Sequence, residues 1–437
     1  MRRAAHYDIP LQTKASLAQS TASTKLTPLS HRLPSDILVI GSLASDTSCD
    51  YSPFEPSVTK SAPILHTSNP AIISGSAGGV GRNVATAAQY AGAQVSLASA
   101  LADDLTGKTL LEDLTSTGID TSNMRILDPT TGARTAQYIA VNDSNKDLVV
   151  AMGDFSIFSQ PEFEQLTYWS DLIESQGAKP RWIVLDGNWS TTVATRILKA
   201  AKSSKIPVAF EPVSTVKAAR LFHTTNTAMS GASVLPDNLV SLATPNKLEL
   251  AAMHSAAQAS ELFASEAWWT IIDAFGLSSA GSRDKFVSML GLDLANVGVP
   301  QQIIQLLPYI PNIITKLGPQ GSLLTMVLRK DDPRLTHPDS APYILSRSSY
   351  ESGDVGGLYM RLFPPAEVVR QEDVVSVNGV GDTLLGVVMA GLVADLKNGR
   401  QPRLEDILPV AQRASVLTLK SKQSVSSKIK ELSWSIL

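Results

Sequence analysis

Apolar and polar positions divide this chain into short buried strands, each followed by a polar or glycine turn and then a helical stretch. DILVIGS (36–42), QVSLASAL (94–101), WIVLDGN (182–188), VAFEPVS (208–214) and LVSLATP (239–245) are apolar runs of strand length that end in polar or glycine residues. Between them the apolar spacing is helical, as in the alanine-rich stretch after Asn83, in KTLLEDLTSTG (108–118) and in TRILKAAKSSK (195–205). Strands alternating with helices predict an α/β fold, a mostly parallel sheet covered on both faces. Right-handed crossovers then gather the loops after the strands at one sheet edge, where such folds bind ligands.

Other stretches break this rhythm. IITKLGPQGSLLTMV (313–327) reads as strand, glycine turn and strand. Residues 136–141 and 148–152 read as two strands joined by the hairpin turn NDSNKD. Residues 47–75 are polar, carry four prolines and predict short exposed strands or a flap. Residues 251–300 read as mainly helical, with Trp268, Trp269, Phe275 and Phe286 in the core. Residues 331–361, rich in Pro, Ser, Gly and Asp, read as an exposed insertion. Residues 1–34 are rich in Ser, Thr and Ala with scattered basic residues, which fits a disordered tail and also a mitochondrial transit segment. The organisation expected is a tail over 1–34 and one domain over 35–437.

Two glycine turns carry the chemistry. In VVSVNGVGDTLLGVVMAGL (374–392), Val374 and Val375 read as the end of a buried strand, and Gly379, Val380 and Gly381 as a tight turn opening a helix. Such a turn leaves backbone N–H groups unpartnered at the positive end of the helix dipole, a ready site for phosphate. Asp382 sits at its mouth, where a carboxylate either handles a proton or caps the helix. Upstream, Gly78, Gly79 and Gly81 precede Asn83; glycine lets backbone approach a ligand closely, and the asparagine amide both donates and accepts toward hydroxyls. Close helix–strand packing explains that cluster equally well.

Charge and composition narrow the picture. Lys and Arg number 37 against 40 Asp and Glu, a formal charge of -3, so no broad nucleic-acid or anionic-membrane surface is expected and phosphate binding has to be local. The single cysteine, Cys49, excludes an internal disulfide and a cysteine zinc cluster and suits a reducing, cytoplasmic compartment. No apolar run approaches the ~18 residues of a membrane span.

Taken in this order, the motifs resemble those of the ribokinase-like (PfkB) family of sugar and nucleoside kinases over about residues 36–430. The glycine pair before Asn83 and the G-x-G-D turn at 379–382 are its two signatures. Between them stand the Asn-x-x-Glu element, Asn246 and Glu249, and a Gly-x-x-Gly turn, Gly318 to Gly321. Within the family, GGVGRNVA (78–85), TAQYIAVNDSNKDLVVAMGD (135–154), PVSTVKA (212–218) and LTLKSKQSVSS (417–427) are most similar to pseudouridine kinases. Kinases of this kind also occur fused to a pseudouridine phosphate glycosidase; residues 1–34 are too few for a second catalytic domain. The resemblance implies a three-layer α/β/α sandwich with a small β lid from residues 47–75 and 133–152, ATP and Mg²⁺ as cofactors, and a homodimer through the lid.

The resemblance also implies roles. Asp382 is the expected base for a primary hydroxyl, with the amides of Gly379, Val380 and Gly381 stabilising the moving phosphoryl. Asp46, Gly78, Gly79 and Asn83 are expected to bind ribose, with Asn188 a further substrate candidate. Asn246 and Glu249 are expected to hold Mg²⁺ through water, although the same spacing makes a helix capping pair. Thr315, Gly318 and Gly321 are expected to line the nucleotide, with residues 414–419 near its base. Lys217 and Lys316 are candidates to meet phosphates, though Lys316 is expected instead to be solvated at the surface, and Arg82 is expected to anchor the substrate loop. Thr135, Gln137 and Asn142 are lid candidates for reading the extra N1–H of pseudouridine.

Three departures stand out. Val380 replaces the family's usual alanine, which is compatible with the turn if its φ stays negative. Ser376 and Val377 replace a polar pair, which puts the family's K⁺ site in doubt. Glu211 stands where relatives tend to have Asp. A kinase for another acceptor (ribose, adenosine or a ketose) and a silent binding protein on the same fold stay open alternatives.

Overall fold

Alternation along the first strand sends Leu38 and Ile40 to one face and Ile37 and Val39 to the other, all fully buried. The computed structural model describes residues 34–52, 62–222, 233–277, 282–349 and 353–432. The tail expected over 1–34 lies outside them except for Pro34, as do 53–61 of the expected flap and 350–352 of the expected insertion. In chain order the strands are β1 (Ile37–Ile40), β2 (Ala44–Tyr51), β3 (Ala71–Gly78), β4 (Val95–Ala102), β5 (Met124–Leu127), β6 (Gln137–Asn142) and β7 (Leu148–Asp154). They continue as β8 (Trp182–Asp186), β9 (Val208–Glu211), β10 (Leu242–Ala243), β11 (Asn312–Lys316), β12 (Ser322–Arg329), β13 (Ile344–Arg347) and β14 (Val355–Phe363).

Ten of these strands form one sheet in the order β13-β14-β12-β11-β10-β9-β8-β1-β4-β5. From β11 to β5 all pairings are parallel, and β12, β14 and β13 add an antiparallel edge. One face packs Leu38, Ile40, Ile183 and Leu185 against helices Thr191–Ser203 and Lys247–Ala259. The opposite face packs Ile37, Val39, Val184 and Ala209 against helices Val80–Tyr90, Val380–Lys397 and Leu404–Leu419. The result is the three-layer α/β/α arrangement. From β1 the sheet grows outward to β4 and from β8 outward to β9, so the chain diverges between β1 and β8. Ligands bind at such switch points, beyond the carboxyl ends of the strands.

The remaining strands make a small separate sheet, β3-β2-β6-β7, at the positions expected for the lid. Its register assigns the side chains to two faces, each of mixed polarity. Asp46, Ser48 and Asp50 share one face with Tyr138 and Asn142, whereas Ile73, Cys49, Val141 and Val150 form a row on the other, next to Ile139 and Met152.

Three expectations are corrected. The stretch 331–361 is an exposed excursion only in its first part: 331–343 is mostly exposed, but β13 and β14 belong to the main sheet, and Leu358, Tyr359 and Met360 are buried. Its polar residues mask the nine-residue run Val355–Phe363, which pairs along β12. Val374 and Val375 end no strand; the N–H groups of Val375 and Ser376 donate to Leu419 O at 2.9 and 3.2 Å, satisfying a carbonyl at the end of helix Leu404–Leu419. Val377 is correspondingly 71% exposed. Trp269 is 51% exposed, because its neighbour Trp268 takes the buried side of the same short helix.

One contact sets the separation of two helices on which the site depends. A Cβ on Gly386, in helix Val380–Lys397, would lie 2.6 Å from Val84 O and 2.7 Å from Ala87 Cβ of helix Val80–Tyr90. Gly386→Ala is therefore expected to cost about 1–3 kcal/mol by overpacking. It should lower activity as well, by driving Asn83 and Asp382 apart. Thermal melting and activity assays check this; an unchanged melting temperature would contradict it.

Candidate active site

Gly379 precedes helix Val380–Lys397 with φ 74°, and a Cβ there would lie 1.9 Å from Ser424 O, so only glycine fits. The positive φ falls on Gly379, leaving Val380 as an ordinary first helical residue, which accommodates the β-branched side chain. Asp382 lies in the first turn of the helix, beside its free amides. Its Oδ2 accepts from Asn83 Nδ2 at 2.9 Å. Burial pushes the Asp382 carboxyl up to about 7, with the negative charges of Glu211 and Asp186 adding to the rise and the Asn83 hydrogen bond and Lys316 opposing it.

Asn83 reaches Asp382 because the turn before it is pinned to the sheet. A Cβ on Gly81 would lie 2.5 Å from Gly41 C, so backbone packs on backbone where β1 ends. Asp186, at the end of β8, accepts from Ser42 N (2.7 Å), Ser42 Oγ (2.9 Å) and Gly81 N (3.1 Å). Ser42 Oγ also accepts from Val80 N at 3.0 Å. Asn188 belongs to this network: its Nδ2 donates to Ser42 Oγ at 2.9 Å and its Oδ1 accepts from Lys217 Nζ at 2.5 Å. Both ends of its amide are committed within the protein. Asp46 on β2 stands against the same glycines, since a Cβ on Gly78 would overlap its carboxylate. Burial raises the Asp46 pKa to about 6, with the Arg82 charge pulling the other way. Arg82 also pairs with Asp113 at 3.4 Å.

On the other side of Asp382 lies a charged cluster. Asn246 and Glu249 form a capping box at helix Lys247–Ala259: Asn246 Oδ1 accepts from the Leu248 and Glu249 N–H groups at 2.9 Å, and Glu249 Oε2 accepts from Asn246 N at 2.8 Å. Glu249 remains buried, and its pKa is raised by burial first and then by Glu211, against Lys316. Lys316 is not solvated at the surface, contrary to expectation; its side chain is 16% exposed and donates to Glu211 Oε1 at 2.7 Å. Lys316 ends β11, so strand geometry turns it inward toward Asp382 instead of out to water. Thr244 Oγ1 donates to the other Glu211 oxygen at 2.5 Å. Thr315 is fully buried, and among the described residues its Oγ1 has no hydrogen-bond partner. Gly318 and Gly321 bound the turn between β11 and β12. Among the described residues no group of three or more His, Cys, Asp or Glu is arranged to hold a metal.

Residues 36–270 match the family description "pfkB family carbohydrate kinase". The chain belongs to this family. The PfkB chain is 28% identical over 417 residues to the pseudouridine-metabolizing bifunctional protein of Schizosaccharomyces pombe, covering 94% of this chain and 49% of that protein. It is 30% identical over 154 residues to the pseudouridine kinase of Escherichia coli, covering 35% of this chain and 46% of that one. It thus spans about half the length of the curated relatives it matches. Its fold is similar to that of a ribokinase from Cryptococcus neoformans in complex with ADP, with a TM-score of 0.56, 18% identity, and coverage of 91% of this chain and 99% of that one.

Several expected residues of this PfkB chain therefore converge: Asp382 and the 379–381 turn meet Asn83, while Asp46, Gly78 and Gly79 line the same end of the sheet. The lid candidates do not join them. Thr135 Oγ1 is spent on Ala102 N and Asp104. Gln137 lies on the face opposite Asp46, in the row of Ser45. Asn142 pairs with Asp50, four residues along β2 from Asp46 and about 13 Å away at a strand's rise. Sequence reasoning missed Ser42 and Asp186 as a site scaffold. The signal was present in WIVLDGN, an apolar strand ending in a carboxylate at the ligand edge.

The Asp382 geometry gives a paired prediction. Asp382→Asn keeps the size and the Asn83 contact but removes most proton affinity, so turnover should fall about 10²–10⁴-fold. Between about pH 4 and 7 the folded chain holds a proton on Asp382 that the unfolded chain has lost, so stability falls as pH rises through that window. The variant should accordingly melt above wild type at pH 8, with the gap closing toward pH 4. Near-wild-type turnover would reduce Asp382 to a helix-terminal residue.

Proposed function

We propose that this chain is an ATP-dependent kinase that phosphorylates the 5′-hydroxyl of a ribonucleoside, with pseudouridine as the acceptor. The observation that carries the kinase reading is Asp382, a carboxyl brought near neutrality, held by Asn83 and set among free helix amides. A base with pKa near the working pH balances availability against proton affinity. In the proposed reaction Asp382 takes the hydroxyl proton, the hydroxyl oxygen bonds to the γ-phosphorus, and the bond to the bridging oxygen breaks to release ADP. The amides of 379–381 offset the charge on the transferring group. Asp46 and Asn83 orient the ribose, and the small sheet acts as a lid that excludes competing water.

ATP supplies the phosphoryl group, and Mg²⁺ offsets the charge of its phosphates. Buried Glu249, with one oxygen outside the capping box, is chemically suited to holding hydrated magnesium through water, an ion that keeps much of its own shell. Ser376 and Val377 bring no carboxylate to a K⁺ site.

The pseudouridine reading is supported by two relatives named for pseudouridine, one of them aligned along nearly all of this chain. ADP release should be measured over pseudouridine, uridine, adenosine and ribose. The expected result is a kcat/KM for pseudouridine at least about tenfold above uridine, a margin that hydrogen-bond recognition of the base readily supplies. Equal values, or a preference for ribose or adenosine, overturn the acceptor; turnover of none overturns the kinase.

We infer further that the lid pairs two copies of the chain. Ile73 and Met152 are each 68% exposed on the face away from Asp46, beside Ile139 and Val150. A contiguous apolar patch of this kind marks an interaction surface. Wild type is expected to run as a dimer in light scattering, and Met152→Glu as a monomer with unchanged helix content. A monomeric wild type at tens of micromolar sinks the idea.

A further inference from the structure

Lys316 is withdrawn from water, and against the opposing effect of that burial the carboxylates of Glu211, Glu249 and Asp382 hold its charge and keep its pKa above the usual lysine value. Its ammonium has only a single hydrogen-bond acceptor, Glu211 Oε1, among the described residues. An ammonium carries three donors, so two N–H groups remain for something else. The direction of the side chain is informative as well. A Cβ on Gly381 would lie 3.0 Å from Lys316 Nζ, so the ammonium rests on the first turn of helix Val380–Lys397. That is the positive end of the helix dipole, where the facing carboxylates offset the repulsion of the cation and the helix amides and the ammonium together form a place for an anion.

We propose that Lys316 is a catalytic residue that contacts the phosphoryl group in transit, and that Glu211 and Thr244 are positioning residues that aim it. This rests on the kinase reading above. Thr244 Oγ1 holds Glu211 Oε2, and Glu211 Oε1 holds Lys316 Nζ, which leaves the two free N–H groups to point past Glu211. The charges facing the ammonium are Glu211, Glu249 and Asp382. Three carboxylates around a phosphoryl path would repel it, and Lys316 is the cation set among them. In the transfer, the hydroxyl oxygen–phosphorus bond forms, the bridging oxygen–phosphorus bond breaks with its electron pair leaving on ADP, and the proton goes to Asp382. The lysine forms no bond; it stabilises the negative charge on the non-bridging oxygens as that charge moves.

The test compares wild type with Lys316→Met and Lys316→Ala, on whichever acceptor wild type uses, after melting curves verify folding. The expected result is a kcat lowered about 10²–10³-fold with the KM for ATP within about threefold of wild type. Methylammonium should restore part of the Lys316→Ala rate, which a purely structural lysine would not allow. If Lys316→Ala does not fold, Glu211→Gln gives the second measurement, with kcat reduced at least about tenfold at unchanged ATP KM. An active wild type with a wild-type kcat in Lys316→Met or Glu211→Gln, or a Lys316→Ala loss that methylammonium leaves untouched, overturns the role of Lys316 alone. A wild type that phosphorylates no acceptor overturns the kinase reading and this proposal together.

Discussion

The close approach of helices Val80–Tyr90 and Val380–Lys397 is the contact on which the candidate site depends. They are separated by about three hundred residues of chain, yet Gly386 lets the backbone of one touch the other. That spacing allows a single amide, Asn83, to reach Asp382. The first helix is in turn held to the sheet by Asp186, whose carboxylate gathers donors from the loop after β1 and from the start of the helix. Removing one partner of such a buried network leaves donors unsatisfied, which costs more than the bonds are worth singly.

Electrostatics at the site runs against folding. Asp382, Glu211, Glu249 and Asp186 bring negative charge to one buried region, where Lys316 faces the first three and Lys217 faces Asp186. Burial and like charge together raise Asp382 toward neutrality, which is unfavourable for the ionised fold and useful to a base. Sites of this kind are assembled at the expense of stability elsewhere in a chain, here carried by two packed faces of a ten-stranded sheet.

The place of the site follows from topology. β1 and β8 are neighbours from which the sheet grows in opposite directions; Ser42 stands just past the carboxyl end of β1 and Asp186 is the last residue of β8. The small sheet leaves the main one between β1 and the first helix, so Asp46 on one of its faces rises directly over this crevice. The other face points away.

Much of this was legible in the sequence. Strand and helix periods, and the rule that parallel strands end at a common ligand edge, led to the α/β/α layers. The glycine turns leading into helices were legible as turns, because free amides and close backbone approach are local properties of a few residues. The β13–β14 edge was hidden, because Pro, Ser and Gly around it carry the same composition as a loop while the strand is defined by its partner. Val374 and Val375 failed for the converse reason: apolar residues make a strand only where a sheet edge is free to receive them. Asn246 and Glu249 were readable as a capping pair from spacing alone. What Lys316 does was not. Whether a lysine meets water or a buried carboxylate is decided by residues over a hundred positions away, and only the tertiary structure brings Glu211, Lys316, Asn83 and Asp382 to one point.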